Sequence, residues 1–78
     1  METYGTIYRT KKIYSLNVPV AIITARHSFF DGGVKGYVIL TQISELTKIV
    51  LCEIAIPNGT IADVKKSLDI FFDSLEIK

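Results

Sequence analysis

Two nearly continuous apolar runs, GYVILTQI over residues 36–43 and KIVLCEIAI over residues 48–56, stand four residues apart in this chain. β-branched and aromatic residues suit a pleated, packed surface, so both runs read as strands and residues 44–47 as the turn joining them in a hairpin. Strand alternation then sorts the side chains. Along residues 48–56 one face receives Val50, Cys52, Ile54 and Ile56, and the other Ile49, Leu51, Glu53 and Ala55. Along the first run, Val38 and Leu40 oppose Tyr37, Ile39 and Ile43. A sheet covered on one side alternates apolar with polar positions, whereas both faces here are largely apolar. Each face is therefore expected to need a cover.

One cover follows the second run. Pro57-Asn58-Gly59 makes a turn, Thr60 stands at an N-cap position, and Asp63 completes a capping-box spacing that also suits the helix dipole. Ile61, Val64, Leu68, Phe71, Phe72 and Leu75 then form one stripe of an amphipathic helix expected to run to about Ile77. Ile70 and Ile77 fall on the opposite side and read as scattered surface isoleucines. A single helix covers a single face. The second face is left to another copy of the chain, to a different protein, or to N-terminal strands curling over it as a partial barrel. The residues expected at a protein interface there are Tyr37, Ile39, Ile43, Ile49 and Leu51.

Upstream, VAIITARHSFF over residues 20–30 reads as a further strand, joined to the next through Asp31-Gly32-Gly33. ETYGTIYRT over residues 2–10 and KIYSLN over residues 12–17 supply one or two more around a turn at Lys11-Lys12, and Pro19 marks a strand start, an edge or a break. The expected fold is α+β: an antiparallel meander of four to five strands, then one C-terminal amphipathic helix packed on one sheet face. Residues 1–78 are expected to form a single domain, with no internal repeat or linker.

Size sharpens the covering problem. A chain of 78 residues buries a modest core unless a disulfide, a metal or a partner helps. One cysteine, Cys52, makes no internal disulfide, and one His with one Cys falls short of the four ligands of a structural zinc site. Self-association is the remaining form of help, and 49% hydrophobic residues is consistent with it. Met1 is followed by Glu2, Thr3 and Tyr4 rather than by a basic stretch and an apolar core, and the longest apolar run, residues 18–23, is too short to span a bilayer. A cytoplasmic protein without membrane contact is the expectation.

In residues 30–41, Gly32, Gly33 and Gly36 match neither phosphate-loop nor dinucleotide-loop spacing and precede a strand, so a tight hairpin turn is expected. His27 with Asp31 and an unplaced hydroxyl is a minor catalytic possibility, and Cys52 among aliphatic neighbours reads as a small core residue. No catalytic, cofactor or metal residues are assigned.

YGTIYRTKKIY, residues 4–14, interleaves tyrosines with cations. Tyr4, Tyr8, Arg9, Lys11 and Lys12 form a possible single-stranded nucleic-acid surface, with rings stacking on bases and cations meeting phosphates; Tyr4 and Tyr8 share strand parity. A net charge of +1 provides little general attraction to nucleic acid, although Arg9, Lys11, Lys12, Arg26 and Lys35 against Glu2 and Asp31 make residues 1–35 mildly basic. The helix acids Asp69, Asp73 and Glu76 read as a solvated face.

The primary functional expectation is a small non-enzymatic protein-binding module, homodimeric, acting on a protein target as a stand-alone regulator or inhibitor of phage or mobile-element type. The alternative is the single-stranded nucleic-acid binder.

Overall fold

The computed structural model describes residues 4–75. It contains four strands, β1 (Thr6–Ser15), β2 (Val18–Phe30), β3 (Gly33–Gln42) and β4 (Lys48–Pro57), and one helix, α1 (Ile61–Ser74). The strands form one open antiparallel sheet in chain order, and α1 packs on one face, giving the expected α+β architecture.

The N-terminal part is one strand rather than two. β1 runs unbroken through Lys11 and Lys12, and its chain reversal lies at Leu16 and Asn17, with φ of 52° and 67°. Two consecutive positive φ values match a two-residue hairpin whose twist suits the flanking strands. Asn accepts that backbone readily and Leu does not, which is why turn chemistry pointed elsewhere. Pro19 lies at the start of β2, opposite Tyr14, where the β1–β2 register shifts. The Asp31-Gly32 hairpin forms as expected, with Gly32 at φ +109°.

α1 begins as its sequence dictates. The Thr60 side chain accepts from the Asp63 N–H at 3.3 Å, and the Thr60 N–H donates to Asp63 Oδ2 at 2.9 Å, a complete capping box. The helix ends at Ser74, with Leu75 as C-cap, earlier than the expected end; Glu76 and Ile77 lie outside the described residues. Val64, Leu68 and Phe72 from α1 meet Ile23, Ala25, Val34 and Val38 from the two central strands to form the core. Gly36 in β3 makes this close approach possible, because a Cβ there would stand 2.6 Å from Leu68 Cδ1.

Two bulges revise the face assignments. In β4 the register shifts so that Val38 pairs with Cys52 and Ile39 with Val50, leaving Leu51 as the extra residue. Val50 therefore falls on the face away from the helix, and Ile49, opposite Leu40, falls on the helix side, the reverse of strict alternation. In β1 the extra residue is Tyr8, between the pairs Ile7–Arg26 and Arg9–Ala25. This bulge brings Arg9 to the helix side next to Tyr8.

The N-terminal strands do not close over the second face. β1 and β4 stay at opposite edges, and the molecule measures 44 × 29 × 15 Å. A 14-residue helix is about 21 Å long. α1 is thus much shorter than the molecule's long axis.

Candidate functional site

The N-terminal cations divide between the two faces. On the helix side, the Arg9 guanidinium spans one turn of α1, with Nη1 3.1 Å from Asp69 Oδ1 and Nη2 2.8 Å from Asp73 Oδ1, while it lies 4.5 Å from the Phe72 ring centroid. These two carboxylates hold the guanidinium pKa above its ordinary value, Asp73 more strongly than Asp69. Lys11 Nζ donates to the carbonyls of Phe72 and Leu75, both at 3.4 Å. The last turn of α1 contains no basic residue, so β1 supplies the cation that complements the helix dipole. The Tyr8 hydroxyl donates to Asp69 Oδ1 at 3.3 Å. Burial, followed by the Asp69 charge and this hydrogen bond, raises the Tyr8 pKa to about 12.

Tyr8, Arg9 and Lys11 therefore fasten the C-terminal half of α1 to β1. Of the five residues expected to make one nucleic-acid surface, only Tyr4 and Lys12 lie on the other face. Tyr4 packs edge-on against Tyr37 at 5.2 Å, and the Arg26 guanidinium lies 5.9 Å from the Tyr4 ring centroid. Lys12 reaches that face through its pairing with Ile22.

The five expected interface residues are dispersed as well. Ile39 is fully buried within the single chain, flanked across the ladder by Thr24 and Val50, so it offers no surface to a partner. Tyr37 is half-buried on the uncovered face, and Leu51 sits at its β4 edge. Ile49 is on the helix side, and Ile43 lies in the β3–β4 connection.

His27 stacks on Tyr8 at 5.5 Å, and Asp31 belongs to the β2–β3 turn. Burial raises the Cys52 thiol above its ordinary pKa, which favours the unreactive protonated form. Among the described residues there is no pocket and no group of three or more metal-ligating side chains. No described helix is long and apolar enough to cross a membrane.

Two other surfaces stand out. The first is the end of the sheet that carries the β1–β2 and β3–β4 connections. The Ile43 N–H donates to the Val20 carbonyl at 3.0 Å, which brings the two connections together. Leu16 is 94% exposed and Leu46 74% exposed, both with left-handed backbone, at φ 52° and 57°. Tyr14, Val18, Val20, Ile43 and Ile49 around them are also exposed. Sequence reasoning missed the two leucines because their turns were expected at other positions or with other turn chemistry.

The second surface is the sheet face away from α1. Among the described residues, register and alternation place Lys12, Arg26, Lys35 and Lys48 on it, one from each strand, with one carboxylate, Glu53. Lys35 Nζ lies 5.4 Å from the Phe30 ring centroid, so Phe30 joins Tyr4 and Tyr37 among the aromatic rings of this face. The signal was present in the alternation of Lys35, Tyr37, Ile39 and Thr41 along β3, but it needed the cross-strand register to become a surface.

No protein-family model, curated protein or solved structure matches this chain.

Proposed function

We propose that this protein is a small non-enzymatic protein-binding module that works as a homodimer, with its apolar hairpin end docked against a second copy. In this reading it acts as a stand-alone regulator or inhibitor by occupying a partner protein's surface. The observation that carries the self-association is the pair Leu16 and Leu46. Each bulky apolar side chain is largely exposed and held in left-handed backbone, a conformation that costs about 1–2 kcal/mol for a non-glycine residue. Strained backbone that presents an apolar side chain to water is a reason to look for an interaction there. The surrounding side chains are mostly uncharged, so a copy of the same surface meets little charge repulsion.

Size-exclusion chromatography with light scattering over a concentration series tests the reading. The wild-type chain is expected to be a dimer, and the double variant Leu16→Asp, Leu46→Asp a monomer with an unchanged circular dichroism spectrum. Both substitutions lie in exposed turns, and Asp tolerates left-handed backbone better than Leu, so the fold should survive them. A monomeric wild type, or a variant that remains dimeric, would count against the hairpin end as the contact.

A further inference from the structure

The sheet face away from α1 holds a segregated charge that net composition conceals. The chain has a net charge of +1, yet among the described residues Lys12, Arg26, Lys35 and Lys48 share this face with one acid, Glu53. The other described acids lie elsewhere: Asp63, Asp69 and Asp73 on α1, and Asp31 and Glu45 in turns. Folding sorts a nearly neutral sequence into a cationic sheet face and a helix side where carboxylates and cations compensate one another.

We propose that this face is a binding site for single-stranded nucleic acid. A general polyanion site requires only cations, whereas this face also carries three aromatic rings. Tyr4 and Tyr37 meet edge-to-face at 5.2 Å, and Arg26 and Lys35 lie against Tyr4 and Phe30. Arg26 is further positioned by its Nε, which donates to Thr24 Oγ1 at 3.1 Å. Ring faces offer stacking to unpaired bases, and the cations beside them meet the phosphates. Neighbouring strands lie roughly 4.8 Å apart, so four strands span about 14 Å, room for a short single-stranded segment. The site differs from the N-terminal cluster suggested by sequence, because Tyr8, Arg9 and Lys11 are engaged with α1. It adjoins the hairpin-end contact at Lys12 and Lys48 but carries its aromatic rings, with Arg26 and Lys35, toward the other end of the sheet, so the two surfaces are tested by separate variants.

Fluorescence anisotropy with a short labelled oligothymidine, repeated over a salt series, is the test. If the cations of the face meet phosphates, log K should fall against log salt with a slope of about −2 to −3. The variant Lys12→Gln, Arg26→Gln, Lys35→Gln should bind at least about tenfold more weakly and flatten the slope. Tyr37→Leu, which retains apolar bulk without the aromatic face, should weaken binding about fivefold or more with the slope unchanged. Lys65→Gln, Lys66→Gln on α1 should bind as wild type, and circular dichroism confirms that each variant folds. A flat salt response, equal losses from the α1 variant, equal affinity for a duplex of the same length, or preferential binding to phosphatidylserine vesicles would each overturn the proposal.

Discussion

Gly36 and Leu68 set the distance between helix and sheet: a Cβ on residue 36 would stand 2.6 Å from Leu68 Cδ1 and 3.2 Å from Val64 Cγ2. Both of those side chains are fully buried within a close-packed core.

Gly36→Ala should therefore lift α1 off β3 and destabilise the protein by about 1–3 kcal/mol, the usual range for an overpacked core. The loss of a glycine from a strand works in the opposite direction but is smaller. Urea unfolding followed by circular dichroism measures the balance, and an unchanged midpoint would show that the packing is looser than these distances require.

The capping box makes a linked prediction about Thr60 and Asp63. Thr60→Ala should destabilise by about 1 kcal/mol, as for other N-cap truncations. Asp63 has its pKa lowered from 3.8, first by the Thr60 backbone N–H and then by the Thr60 hydroxyl. A carboxylate with a depressed folded-state pKa stabilises the fold above its unfolded value, and that contribution is lost as pH falls through the folded value. NMR titration should place the Asp63 midpoint below the ordinary carboxylate value. In Thr60→Ala the midpoint should rise only part of the way back, because the backbone hydrogen bond remains.

Tyr8 titrates at the other end of the scale. Its pKa moves from 10.0 to about 12, so the folded state favours the neutral phenol. The stabilisation is present below pH 10 and is lost as pH rises toward about 12. Ultraviolet difference titration should show Tyr8 ionising above the ordinary phenol value, and Asp69→Asn should bring its midpoint down by removing the carboxylate that opposes phenolate. A Tyr8 midpoint near 10 would argue against the contact with Asp69.

Leu16→Asn separates backbone strain from contact. Asn tolerates φ 52° better than Leu, and the leucine side chain is almost wholly exposed in the single chain, so the variant should stabilise the monomer by about 1 kcal/mol. It should at the same time weaken self-association. Thermal melts at low concentration and light scattering at high concentration are expected to move in opposite senses.

The elements that were legible beforehand depend on short-range interactions. The α1 stripe, the capping box and the Asp31-Gly32 turn each lie within a few residues, where helix periodicity and the conformational freedom of glycine act directly. The hairpin of β3 and β4 was equally plain from two β-branched runs on either side of a short connection. The turn expected at Lys11-Lys12 does not form: β1 runs through both lysines and reverses at Leu16-Asn17, where Leu16 is a poor residue for the left-handed conformation it adopts.

By itself, the sequence determined the α+β class, the helix and its start, and the presence of more apolar surface than one helix covers. Only the tertiary structure decided which side chains share a face. The bulges at Tyr8 and Leu51 arise from the register of one strand against its neighbour, and each shifts the alternation by one residue. One bulge placed Arg9 on the helix side beside Tyr8, where both reach Asp69; the other exchanged Ile49 with Val50. Such a shift is specified by contacts between residues distant in sequence, among them those joining β1 to α1, and a period of two read along a single strand contains no trace of it.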